Sequence, residues 1–365
     1  MARILTFLGK DDEERRNVAY ASAQKLALLG NRVLLVGQGP STTWSKLLGV
    51  TPAPEPQVIG SNLSVVHLET TFLLEKAWEE IKALERQYLR SPILNNVYGQ
   101  ELGILPGMDD ALALNVLREY DGGGSYDVIV YDGSDSFNTI RMFGIPEILS
   151  WYFRRFQKVL SESDLFKTLS PFVQPIASTI LNVSWSFENL TPDSSNRANQ
   201  IITDGLAAIA DPQRISAYLV VEDQTEAIAL AQYLWGSAQQ VGLTVAGVLV
   251  NQSEVTETLV QAFSPLPLNP IPHTSNSDWQ VMIDALPDFI TPKNTPIPLK
   301  IDVAAREIRA FLPGFDKKEV KLTQSGPEIT IDAGNQRRNI ILPPPLAGKP
   351  VKGAKFDQGY LIISL

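Results

Sequence analysis

A lysine, two arginines and four carboxylates crowd into one short loop near the start of the chain, Gly9-Lys10-Asp11-Asp12-Glu13-Glu14-Arg15-Arg16-Asn17. An apolar run at 4–8 precedes this loop and a helical pattern at 18–29 follows it. Strand, loop and helix in that order make a phosphate cradle when three conditions hold. Glycines let backbone N–H groups wrap the anion, a lysine reaches the outer phosphates, and a Ser or Thr hydroxyl holds Mg²⁺. Here only Gly9 and Lys10 fit that scheme. Arg15 offers a guanidinium, which pairs well with phosphate, while Asp11, Asp12, Glu13 and Glu14 repel it. A second reading needs no ligand: acidic residues in a first helical turn offset the positive end of the helix dipole and take, electrostatically, the place of phosphate. Two further polar residues end apolar runs, Asp132 after 128–131 and Asn251 after 245–250. Each also reads as an ordinary residue, Asp132 as a surface aspartate and Asn251 as part of a turn.

Several chemistries are excluded. Cysteine is absent, which removes disulfides, thiolate zinc sites and cysteine nucleophiles together. His67 and His273 are the two histidines; neither has a metal-spaced partner or a nucleophile-elbow motif, so both read as structural. The formal net charge of −9 argues against nucleic acid and anionic membrane surfaces as partners. With no run of 18 apolar residues, no bilayer span and no stable membrane insertion is expected. The apolar N-terminus turns sharply charged and reads as a buried strand rather than a signal peptide, so the expected location is cytoplasmic.

The elements that must position the loop are legible in the apolar runs at 4–8, 33–36, 128–131, 217–221 and 245–250. Short Val/Ile/Leu-rich runs separated by helical patterns, such as 18–29 and 226–241, are the mark of parallel strands covered on both faces. The expected class is α/β, a doubly wound and mostly parallel sheet. Helical segments at 71–90, 109–120 and from 145 to about 185 look like a subdomain carried on that sheet, spanning about 70–125 and 145–205. Prolines 265, 267, 270, 272, 287, 292, 296 and 298 suit an extended connection, with a domain boundary near Thr295. Beyond it, alternating runs at 320–322, 328–331 and 360–365 read as β structure. The expected domains are therefore 1–294 and 295–365.

Laid on Gly9 to Asn17 without a gap, the pattern Gly-Lys-Gly-Gly-Val-Gly-Lys-Thr-Thr resembles the deviant Walker motif of the arsenite-pump and tail-anchored-protein-targeting ATPase family, a P-loop NTPase class. The resemblance extends over roughly 290 residues in five ordered segments. Lys10 stands for the signature lysine, which in that family reaches nucleotide across a dimer. Arg15 stands for the Walker lysine and Arg16 for the magnesium threonine. Gly39-Pro40-Ser41-Thr42 aligns with the switch and puts Gly39 where the catalytic aspartate belongs, so no catalytic residue is assigned. Leu105 to Leu112 resembles the entry to the helical region, and Asp132 the Walker B aspartate. Phe137-Asn138-Thr139-Ile140-Arg141 aligns with Gly-His-Thr-Leu-Arg, and Asn251 with the asparagine that recognises adenine. What the resemblance implies is ATP with Mg²⁺ held by Gly9, Lys10, Arg15, Arg16, Asp132 and Asn251, the metal through Asp132. The four loop carboxylates count against it. The dimer zinc site of the family has no counterpart, so a homodimer forms without zinc.

That family binds transmembrane segments in an apolar groove of its helical subdomain. The stretch 151–185 has the composition for one, with Trp151, Phe153, Phe156, Phe166 and Phe172 as candidate client contacts, although the same residues also read as core. Over 297–365 the chain resembles the α-crystallin domain of small heat-shock proteins. The resemblance rests on Phe311-Leu312-Pro313-Gly314-Phe315 with Glu319-Val320, then Arg338 to Pro343, then Ala354 with Gly359-Tyr360-Leu361. The expected function is capture, and targeting, of hydrophobic helices of client membrane proteins by a homodimer with a degenerate nucleotide site and at best weak ATP hydrolysis. The alternatives are an active ATPase with a rearranged loop and a structural partner protein without activity.

Overall fold

In the computed structural model the chain is described for residues 1–88, 107–162, 192–251, 254–272, 279–291 and 295–365. The first strand, β1 (Arg3–Gly9), leads into α1 (Asp12–Leu28), followed by β2 (Val33–Gly37) and α2 (Ser41–Leu48). A hairpin of β3 (Gln57–Gly60) and β4 (Leu63–His67) comes next, and α3 (Thr70–Tyr88) and α4 (Met108–Gly122) cross over to β5 (Val128–Asp132). From there α5 (Ser136–Glu162) and α6 (Pro192–Ala210) lead to β6 (Ile215–Val221), α7 (Thr225–Gln240) and β7 (Val245–Asn251). Three short elements complete this part: α8 (Glu257–Phe263), β8 (Leu268–Ile271) and α9 (Trp279–Ala285).

These strands form one sheet in the order β3-β4-β2-β5-β1-β6-β7-β8, parallel throughout except for the β3–β4 hairpin. The chain winds outward from β1 to one side through β2 and β4, returns through β5, and then builds the other side with β6 to β8. This is the doubly wound arrangement expected from the apolar runs. Side chains of β1 alternate between two cores: Ile4 and Leu8 join one, Leu5 and Phe7 the other. Helices α3 to α8 cover the first face, and α1, α2 and α9 cover the second. Both faces being dry explains why the strands read as continuous apolar runs.

Leu112, Ala113, Val116 and Leu117 of α4, expected to be carried on the sheet, lie in the same core as the sheet. The proline-rich stretch is mostly built in rather than an extended connection. Ile271 of β8 and Met282, Ile283, Leu286 and Phe289 around α9 join the second core, and Lys25 Nζ donates to the Ile283 carbonyl at 3.0 Å. The β3–β4 hairpin and β8 carry too few apolar residues for sequence periodicity to mark them.

Seven antiparallel strands follow: β9 (Leu299–Asp302), β10 (Glu307–Phe311), β11 (Lys321–Ser325), β12 (Glu328–Ala333), β13 (Gln336–Ile341), β14 (Gly353–Asp357) and β15 (Tyr360–Ser364). They form sheets β14-β15-β10-β9 and β11-β12-β13 around a third core that includes Ile308, Ile329, Ile331, Ile340 and Ile363. This sandwich sits on α7. Phe315 meets Tyr233 at 5.5 Å between ring centroids and Phe311 meets Trp235 at 5.4 Å. Gly236 permits the approach, since a Cβ there would stand 2.3 Å from the Pro313 carbonyl.

Candidate functional site

The carboxyl ends of β1, β2, β5 and β7 converge where a doubly wound sheet places its ligand crevice. At this edge the chain after Gly9 does not form a wide loop. Asp11 caps α1: its Oδ1 accepts from the N–H groups of Glu13 at 2.8 Å and Glu14 at 3.0 Å. Asp12, Glu13 and Glu14 make up the first turn. The reading of the acidic run as a helix start that neutralises its own dipole is what the backbone adopts. The Glu13 and Glu14 N–H groups, two of those at the helix start, donate to a carboxylate of the chain itself.

Behind this cap lies a buried ionic cluster. Arg15 and Asp132 have fully buried side chains, and Arg15 Nε donates to Asp132 Oδ1 at 2.6 Å. One Arg15 terminal nitrogen donates to Asp12 Oδ1 at 2.6 Å and the other to the Gly133 carbonyl at 2.8 Å, so its fork is engaged on three sides. Burial works to lower the Arg15 pKa, but Asp132 and then Asp12 outweigh it and the net shift is upward. Burial likewise pushes the Asp132 carboxyl up, with Arg15 and Arg16 pulling it down. Asp132 is thus no surface residue; desolvation makes a contact partner obligatory.

Arg16 approaches from the other side. Its Nε lies 3.7 Å from Asp132 Oδ2, an ion-pair separation rather than a hydrogen bond, and its guanidinium carbon stands 5.4 Å from the Trp44 ring centroid. Trp44 is completely buried in α2 and donates from Nε1 to the Gln38 carbonyl at 2.9 Å. Gln38 in turn accepts from the Tyr131 hydroxyl at 2.7 Å through Oε1, and its N–H donates to the Asp132 carbonyl at 3.0 Å. Gly39 adopts φ +88°, which an aspartate would hold only under strain, and its carbonyl is 2.9 Å from His67 Nε2. His67 is thus joined to the backbone of the segment after β2, and His273 lies outside the described residues.

Gly9 is required by packing: a Cβ there would stand 2.8 Å from the Val220 carbonyl on β6. Its N–H donates to Ser136 Oγ at 2.9 Å, and that hydroxyl returns a bond to the Gly9 carbonyl at 2.8 Å. Lys10 is exposed and lines a small recess with Asp11, Glu14, Val220, Glu222, Ala227 and Asn251. Asn251 is 1% exposed, and neither amide atom has a hydrogen-bond partner among the described residues. Of the six expected cofactor contacts, Arg15, Arg16 and Asp132 come together through bonds to one another. Lys10 and Asn251 share the recess, and Gly9 closes on Ser136. The Glu13 and Glu14 amides, the Arg15 fork and Asp132 Oδ1 are thus engaged within the chain, while Asp132 Oδ2 and the Asn251 amide have no hydrogen-bond partner among the described residues.

Sequence reasoning passed over Ser136, Trp44, Gln38 and Tyr131. Ser136 meets Gly9 127 positions away and Tyr131 meets Gln38 93 positions away, distances that no local pattern marks, while Trp44 is engaged by Gln38 and by Arg16 on the neighbouring helix. Of the candidate client contacts, Trp151 is half-buried on α5, Phe153 and Phe156 have no described side chain, and Phe166 and Phe172 lie outside the described residues. Among the described residues, no helix is long and apolar enough to cross a membrane and no cluster of potential ligands could hold a metal ion.

Comparison with known proteins matches residues 2–263 to the anion-transporting ATPases and residues 304–365 to the HSP20-like domain found in ArsA. The chain is 23% identical to a protein of Chlorobaculum tepidum named "Putative arsenical pump-driving ATPase", over 99% of this chain and 95% of that one. It is 22% identical to a similarly named protein of Aquifex aeolicus, over 99% of each. A shorter match, 27% identical over 39% of this chain and 36% of the other, is to the "ATPase ASNA1 homolog" of Plasmodium chabaudi chabaudi. With the matched stretch covering the sheet up to α8 and an HSP20-like domain following it, this chain belongs to the anion-transporting ATPase family.

Proposed function

We propose that this protein captures hydrophobic helices of client membrane proteins as a cytoplasmic homodimer, without using ATP turnover to do so. The reading is supported by α5, which starts with Ser136 beside Gly9 and continues past Pro146. On that outward stretch Ile148 is 44% exposed and Tyr152 51% exposed, with Trp151 beside them. Large apolar groups left in water at the head of the segment 151–185 are what a greasy ligand would cover. The resemblance to tail-anchored-protein-targeting ATPases points the same way. Occupied phosphate-facing donors and Gly39 at the aspartate position of the switch support at best weak hydrolysis.

The test is capture of a 20-residue (about one bilayer span) apolar peptide by the full chain, read by cross-linking, against a polar control of equal length. Wild type captures it as a dimer, and Phe156→Glu with Phe166→Glu abolishes capture while the protein stays folded. Unfolding of that double variant would make those rings core, and no capture by wild type would leave the structural-partner reading.

A further inference from the structure

The segment after β2 is held by buried groups of the chain itself. Trp44 is fully buried, its Nε1 is tied to the Gln38 carbonyl, and a Cβ on Gly37 would stand 2.4 Å from the indole ring. Arg16 stacks over that same ring while its Nε faces Asp132, and the Gln38 N–H is tied to the Asp132 carbonyl. The segment 37–44 is thus fastened to the end of β5 at both the main-chain and side-chain level. At the centre, two guanidinium groups face the Asp132 and Asp12 carboxylates, so positive charge is matched inside the protein. The Asp11 carboxylate accepts from the Glu13 and Glu14 amides of the helix start.

We propose that Asp11, Asp12, Arg15, Arg16 and Asp132 form a permanent internal substitute for nucleotide, and that through Arg16 and Trp44 this cluster holds α2 in one state. A ligand shifts a conformational equilibrium only by the difference in its affinity for the two states. When the chain's own charges already make the contacts at the strand ends, nucleotide has no differential contact left to form. The switch is then a fixed strut, and the surface that α2 presents is constitutive. The inference concerns the charge cluster and not client capture, so either can fail while the other stands.

Hydrogen exchange of the full chain, read by mass spectrometry over residues 37–48, tests it. In wild type, millimolar ATP with Mg²⁺ leaves exchange in this segment unchanged, and calorimetry shows no nucleotide heat. Arg16→Gln removes the charge and the ring stacking, and speeds exchange across α2 by roughly fivefold to thirtyfold, the equivalent of a cation–π contact of about 1–2 kcal/mol. Trp44→Phe, a milder change that retains an aromatic ring, moves exchange the same way, whereas Lys46→Gln on the same helix does not. Protection of α2 by ATP in wild type would overturn the proposal, as would unchanged exchange in both Arg16→Gln and Trp44→Phe.

Discussion

Two arginines drawn from water to different degrees, Arg15 fully buried at the sheet edge and Arg338 partly buried at the seam with the sandwich, are treated in opposite ways. Arg15 has a carboxylate against it at 2.6 Å, and its pKa rises despite burial. Arg338 donates to the Gln239 carbonyl at 2.9 Å and feels Glu147 only at longer range, so burial brings its pKa down to about 10. On the other side of that seam, burial raises the Glu147 carboxyl. A charge in the core of a domain needs a counter-charge in contact. A charge at a seam between domains manages with a carbonyl, because it keeps some access to water.

This contrast is most directly broken by Asp132→Ala, which leaves Arg15 buried beside empty space. The expected loss is about 3–5 kcal/mol of main-domain stability, read as a shift in the urea midpoint; a loss under about 1 kcal/mol would mean that water replaces the carboxylate. Next in size is Phe315→Ala at the seam. Removing a ring that packs on Tyr233 and also belongs to the sandwich core costs about 3 kcal/mol, taken from docking and the sandwich together, so the sandwich becomes accessible to protease while the sheet melts as before. Simultaneous melting of both would show the seam to be part of one cooperative unit.

A pH series isolates a smaller effect. Asp110, 4% exposed in α4, has its pKa raised to about 7, first by burial and then by Asp109, with Arg141 opposing. The folded state therefore binds more protons than the unfolded state between the ordinary carboxylate range and about pH 7. Stability contributed by this site is full in acid and falls as pH rises through that window. Asp110→Asn flattens the decline in melting temperature from acid to neutral pH; an unchanged slope would place the titration elsewhere. Arg338→Met is expected to do least, at most about 1 kcal/mol, since one lost hydrogen bond is offset by the easier burial of a thioether. A cost matching that of Asp132→Ala would erase the distinction between the two arginines.

The apolar runs revealed the sheet because strands covered on both faces must be apolar at every position, and this is a local property of the sequence. The sandwich was legible through its alternation and motifs for the same reason. The helix start at Asp11 was also present in the sequence as one of two readings, since cap and dipole act within a single turn. Short elements such as β8 escaped because their strand character comes from the neighbour they pair with. The site itself was half legible. The resemblance to the ATPase family grouped Arg15, Arg16, Asp132 and Asn251 at one edge, but did not say which of them touch. That Arg15 meets Asp132, 117 positions away, rather than a phosphate, was decided by packing. Desolvation forces a buried cation onto the nearest carboxylate, and which carboxylate is nearest is a property of the folded sheet alone.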